Sequence, residues 1–141
     1  MMAQEDKKGT AGGATIRVLV VEDHQPTREE LVRLVGEDKG MTAIADVGTG
    51  EEAVETARRL RPAVIVMDIQ LPGMNGIEAT RIVMSEIPAT RIVAVSNHSN
   101  PGLVRAFQDA GGMGYVCKDH AFEELIPAIR SALDNRQYLG V

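Results

Sequence analysis

Ala63-Val64-Ile65-Val66-Met67-Asp68-Ile69-Gln70-Leu71-Pro72-Gly73-Met74-Asn75-Gly76 is the stretch on which the fold turns. Ala63 to Met67 is an unbroken apolar run of strand length, as expected of a strand covered on both faces. A carboxylate, Asp68, then ends the run, and two turn signals follow, Pro72-Gly73 and Asn75-Gly76. A carboxylate at the end of a buried strand is costly unless a cation or hydrogen-bond donors meet it. The mouth of an open α/β sheet, where ligands bind beyond the carboxyl ends of the strands, supplies such a setting.

The flanking sequence repeats the theme. Ile16 to Val21 reads as a strand that ends in Glu22-Asp23. Pro26 opens a helix, with Leu31, Leu34 and Val35 at helical spacing. Met41 to Val47 is a second strand, and Thr49 is placed to cap a helix that Pro62 stops. After the central strand, a helix from about Ile77 stops before Pro88. Arg91 to Val95 forms a fourth strand that ends at Ser96, and a helix follows from about Pro101 to Ala110. Tyr115-Val116-Cys117 makes a fifth strand, ending at Lys118. The last helix carries Phe122, Leu125, Ile126, Ile129 and Leu133, and Pro127 within it predicts a start near Glu123 or a kink. Strand and helix thus alternate five times, which implies one parallel sheet with helices on both faces. All carboxyl strand ends then share one edge, so Glu22-Asp23, Asp68, Ser96 and Lys118 converge there.

Composition narrows the function. The chain of 141 residues is long enough for one domain with a sizeable core. A net charge of −5 argues against non-specific nucleic-acid binding, which needs a basic face. A single cysteine, Cys117, allows no internal disulfide and fits a reducing compartment. No apolar run approaches the ~18 residues of a membrane span, and the N-terminus lacks the apolar core of a signal peptide. The expectation is a cytoplasmic protein with no membrane association. Residues 1–14 are polar, small and aperiodic, and are expected to be a disordered tail.

Clustered carboxylates repel one another, and a divalent cation resolves the repulsion. Magnesium takes one or two carboxylates and recruits phosphate oxygens. Asp23 and Asp68 are candidate direct ligands, with Glu22 direct or through water and the backbone carbonyl of Gln70 completing the set. Metal and the Lys118 ammonium together suit a transferring phosphoryl group. A carboxylate can be the nucleophile in such a transfer, giving an aspartyl phosphate, and Asp68 on the central strand is best placed for it. Ser96 could hydrogen-bond the acquired phosphoryl oxygens. His24, His98 and His120 lack metal-ligand spacing, and no Gly-rich nucleotide-binding motif is present.

Three pieces in this order, Val20-Val21-Glu22-Asp23-His24, Met67 to Gly76 and Gly114-Tyr115-Val116-Cys117-Lys118-Asp119, with Val95-Ser96 between the last two, resemble the receiver domain of two-component response regulators. The likeness is greatest to the subfamily with a C-terminal helix-turn-helix domain (NarL/FixJ/LuxR-like). It spans about Ile16 to Tyr138, and residues 15–141 are expected to form the receiver. The resemblance implies a flavodoxin-like (CheY-like) α/β fold, a doubly wound five-stranded parallel sheet of (βα)5 order. It implies that Asp68 takes a phosphoryl group from a sensor histidine kinase, with Mg2+ at Glu22, Asp23 and Asp68. Lys118 would contact the phosphoryl group, Ser96 would be the switch hydroxyl and Tyr115 the switch aromatic. A homodimer on phosphorylation is compatible with it, and DNA would be reached only through an output domain absent from this chain. The ending Asn135 to Leu139 resembles the start of that subfamily's linker. A stand-alone regulator is the alternative. A magnesium-dependent phosphatase would want a second carboxylate two residues after Asp68, where Gln70 stands, and a flavin carrier would want a hydroxyl-rich first loop in place of Glu22-Asp23.

Overall fold

The computed structural model describes residues 15–98 and 100–140, so the expected tail over residues 1–14 lies outside the described residues. The elements run β1 (Ile16–Val21), α1 (Gln25–Gly36), β2 (Met41–Val47), α2 (Gly50–Leu60), β3 (Val64–Asp68), α3 (Gly76–Glu86), β4 (Arg91–Ser96), α4 (Pro101–Asp109), β5 (Gly114–Cys117), α5 (Ala121–Leu133) and β6 (Tyr138–Gly140). Their sheet order is β2-β1-β3-β4-β5-β6, parallel throughout. The chain leaves β1 toward β2 on one side and reaches β3 on the other, so the topological switch point lies between β1 and β3.

Side-chain alternation divides the core in two. Leu19, Val21, Ile65, Met67, Ile92 and Ala94 face α2, α3 and α4, meeting Ala53, Val54, Ala79, Val83 and Phe107. Val18, Val20, Val64, Val66, Val93 and Val95 face α1 and α5, meeting Leu31, Val35, Leu125, Ala128 and Ile129. Burial of both faces explains the unbroken apolar runs of β1, β3 and β4. Short polar side chains start three of the helices. Thr49 accepts from the Glu52 amide, Asn75 from that of Glu78 and Asn100 from that of Leu103. Pro26 lies in the first turn of α1, where its missing N–H removes no intrahelical bond.

The expected doubly wound parallel sheet of five strands is present and carries a sixth, short strand beside β5. The residues read as a linker turn at Asn135, whose φ is 59°, and add Tyr138–Gly140 beside β5. The Tyr138 amide donates to the Met113 carbonyl at 3.1 Å, and its hydroxyl donates to Glu124 at 2.9 Å. The last helix also starts earlier than expected. A 3₁₀ turn over Lys118–His120 leads directly into α5 at Ala121, and Pro127 sits within the helix. Pro127 is on the exposed side, so water can satisfy the Glu123 carbonyl that loses its donor.

Gly76 joins fold to site. Its amide donates to the Ile69 carbonyl at 3.1 Å, drawing the start of α3 against the end of β3. A Cβ there would stand 2.1 Å from the Asp68 carbonyl oxygen and 2.9 Å from the Ile69 Cα, both backbone atoms that cannot swing away. Gly36, at the last turn of α1, has nothing within 4 Å of such a Cβ. The same substitution therefore has opposite signs at the two positions. Gly76→Ala is expected to destabilise by on the order of 3 kcal/mol. Gly36→Ala is expected to stabilise by about 0.5–1 kcal/mol. Urea unfolding midpoints of the two variants check both.

Candidate functional site

Four strand ends meet at the switch point. Glu22 and Asp23 follow β1 directly, Asp68 ends β3, Ser96 ends β4, and Lys118 follows β5. One carboxylate oxygen each from Glu22, Asp23 and Asp68 lie within 4.8 Å of one another. Glu22 and Asp68 are buried and Asp23 is exposed. The Lys118 Nζ reaches between the buried pair, 2.7 Å from Glu22 Oε1 and 3.3 Å from Asp68 Oδ2.

Backbone donors fix the remaining lone pairs. The Gln70 amide donates to Asp68 Oδ1 at 3.0 Å, and the His24 amide donates to Glu22 Oε2 at 3.1 Å. Glu22 Oε1 has no hydrogen-bond partner, because the nearby ammonium approaches at an unsuitable angle. A buried, incompletely satisfied carboxylate oxygen beside two further carboxylates fits a small, hard divalent cation, which takes oxygen ligands. Glu22, Asp23 and Asp68 could therefore hold a metal ion.

Ser96 is fully buried, one strand away from Asp68 in the sheet. Its hydroxyl accepts from the His98 amide at 3.0 Å. Tyr115 is also fully buried, and its ring meets that of Phe107 edge to face at 5.8 Å. The Tyr115 hydroxyl donates to the His98 carbonyl. The segment between β4 and α4 is thus held at His98 from two sides, by Ser96 and by Tyr115. Burial pushes the Tyr115 phenol up, and the neighbouring Ser96 hydroxyl draws it part of the way back. Gln70 is exposed, as is Asn97. Cys117, the last residue of β5, is only partly buried.

Sequence reasoning passed over Arg28. From α1, its Nη1 donates to the Glu22 carbonyl at 2.8 Å and its Nε to Asp46 Oδ1 at 3.1 Å. The signal was an arginine five residues after Asp23, indistinguishable in sequence from one on a solvated helix face. At His98 it is the backbone that makes the contacts, its amide to Ser96 and its carbonyl to Tyr115.

The electrostatics follow from burial. Burial first, and the Glu22 charge second, push the Asp68 carboxyl from its usual range to about 7. The Gln70 amide and the Lys118 charge oppose that rise. For Lys118, burial disfavours the ammonium, but the close ion pair with Glu22 and the charge of Asp68 outweigh it and hold the amine above the ordinary lysine range. Because the folded Asp68 binds its proton more tightly than the unfolded one, the folded chain carries the extra proton between about pH 4 and about 7. Stability without metal is therefore expected to fall as pH rises through that window and to level off above it. Asp68→Asn removes the charge and should be more stable at pH 8 by on the order of 2–4 kcal/mol, with a smaller gain at pH 5. Urea titrations in a chelating buffer at the two pH values check this, and a variant less stable than the parent at pH 8 would contradict it.

The family model of the response regulator receiver domain matches residues 18–130. The response regulator GacA of Pseudomonas viridiflava is 34% identical over 125 residues, covering 89% of this chain and 58% of the relative. The response regulator UvrY of Escherichia coli K12 is 32% identical over 125 residues, covering 89% and 57%. The chain thus spans little more than half the length of these curated relatives. Among solved structures, a LuxR-family two-component response regulator from Aurantimonas sp. SI85-9A1 superposes with a TM-score of 0.85 at 34% identity, covering 89% of each chain. The fold, the switch-point acids and these likenesses agree: the chain belongs to the response regulator receiver domain family.

Proposed function

We propose that Asp68 accepts a phosphoryl group from a phosphohistidine of a sensor histidine kinase, and that the acylphosphate so formed shifts the domain between two conformations. The observation that carries this reading is the convergence on Asp68 of two further carboxylates within 4.8 Å and an ammonium at 3.3 Å. A carboxylate oxygen attacks phosphorus, the P–N bond breaks, and its electron pair returns to the imidazole, which takes up a proton. Lys118, already between Glu22 and Asp68, is positioned to meet the charge on the transferring oxygens. Glu22, Asp23 and Asp68, with the backbone carbonyl of Gln70, would hold Mg2+. When bound, magnesium supplies positive charge that offsets the acid cluster and the phosphoryl oxygens.

The same chain of contacts supports a switch. Phosphorylation adds about −1.5 to −2 charge and strong acceptors. Ser96 turning its hydroxyl to a phosphoryl oxygen gives up the His98 amide, leaving the segment before α4 held by Tyr115 alone. The two arrangements differ in which acceptors each hydroxyl serves, so phosphorylation biases their populations. Tyr115 is already inward here, so its movement in the switch is a change of partner more than of burial.

A cleft of about 280 Å³ between α1 and the start of α5 has Leu31, Leu34, Ala121 and Phe122 among charged residues that include Glu30, Arg33 and Lys118. Phe122 is 79% exposed there, which suits docking of the kinase beside the acceptor. The likeness to the response regulators GacA and UvrY and to a LuxR-family regulator supports control of transcription as the output. No helix among the described residues is long and apolar enough to cross a membrane, and a cytoplasmic location fits that role. Dimerisation on phosphorylation and self-dephosphorylation belong to the same reading.

Incubation with Mg2+ and a small acyl phosphate is expected to add one phosphoryl group, seen by intact-protein mass spectrometry. Asp68→Ala should abolish the gain, and a chelator should suppress it in the parent. Unchanged labelling of Asp68→Ala would rule out Asp68 as acceptor. Multiple-turnover hydrolysis of ordinary phosphomonoesters would favour a phosphatase instead.

A further inference from the structure

Arg28 ties three elements together. It projects from α1, its Nε meets Asp46 of β2 at 3.1 Å, and its Nη1 meets the carbonyl of Glu22 at 2.8 Å. That carbonyl belongs to the peptide joining Glu22 to Asp23. The Glu22 amide is held as well, donating to the Val47 carbonyl at 3.0 Å. Gly48 makes the room: a Cβ there would stand 3.2 Å from Arg28 Nη1 and 3.9 Å from the Asp23 Cα. The Arg28 side chain is only 21% exposed, so water competes weakly for the carbonyl.

We propose that Arg28 is a positioning residue for the metal site: by clamping the peptide between Glu22 and Asp23 it aims both carboxylates at Asp68 and so sets the affinity for Mg2+. The inference rests on the proposed function of that site. The orientation of that peptide sets ψ of Glu22 and φ of Asp23, so a free Glu22 carbonyl would let the Asp23 carboxylate drift from the other two. Arg28 touches no reacting atom. Asp46 balances its charge, so the clamp opposes an incoming cation little. Partners beyond the direct ligands typically change metal affinity by 10- to 100-fold when removed. Lysine cannot replace the two diverging N–H donors, because its charge sits on one nitrogen.

The test is calorimetric titration of the full chain with Mg2+, with urea unfolding in parallel. Arg28→Met is expected to raise the Kd for Mg2+ about tenfold, with Arg28→Lys between it and the parent. The Mg2+ concentration for half-maximal phosphorylation by acyl phosphate should rise by the same factor. A merely structural role would lower the urea midpoint and leave the Kd in place, and a Kd within about twofold of the parent's overturns the proposal. Should Arg28→Met not fold, Asp46→Ala removes the acceptor that holds the other end of the clamp, and an unchanged Kd in that variant overturns it equally. A parent chain that binds no Mg2+ overturns the proposed function together with this inference. A parent that binds Mg2+ and loses it in Asp23→Asn, beside unaffected Arg28 variants, overturns this inference alone.

Discussion

Two carboxylates share one buried space at the carboxyl edge of the sheet, and the Lys118 ammonium stands between them. Desolvation and mutual repulsion act against both acids, and a single amine with two backbone N–H groups offsets only part of that. The result is a site whose charges are kept in an unfavourable state by the surrounding core. Any group that brings positive charge, or that spreads negative charge onto oxygens with better partners, relieves the tension. The rest of the molecule can be understood as what is needed to hold such a cluster without collapse.

The sheet does most of the holding. β1 and β3 are neighbours whose helices cross to opposite sides, which leaves the space beyond their carboxyl ends open. Strands covered on both faces cannot slide, because a shift by one residue would exchange the two apolar layers. The acid at the end of β3 is therefore fixed in depth by Val64 to Met67 behind it. Gly76 brings α3 close enough that its first turn rests on the Asp68 backbone. Tyr115 and Ser96 then extend the cluster sideways, through His98, to the start of α4.

Much of this arrangement was legible in the sequence, for a physical reason. An apolar run that stops at a polar or charged residue marks both a strand and its end, so the pattern alone places Glu22-Asp23, Asp68, Ser96 and Lys118 on one edge. The caps at Thr49 and the entry at Pro26 were legible because their chemistry is local. Other features depend on partners distant in sequence. Tyr138-Leu139-Gly140 is too short for periodicity to register, and it is a strand only because β5 offers an unfilled edge. The start of α5 was misplaced because the effect of Pro127 depends on which side of the helix meets water. Arg28 looks like any exposed helix arginine until β1 and β2 are seen on either side of it. The depth of Tyr115 comes from Phe107, eight residues earlier and on another element.

The added strand changes the standing of β5. Without Tyr138–Gly140, β5 would present a free row of amides and carbonyls to solvent, inviting pairing with a foreign chain. With it, the strand that feeds Lys118 into the cluster becomes an interior one, flanked by β4 and β6. The outermost position passes to three residues, anchored by one phenol on Glu124 and one amide on Met113. Any visitor seeking to extend the sheet on this flank must first peel that short segment away. The backbone of Tyr115 is thereby shielded from competition by a piece of chain small enough to be displaced.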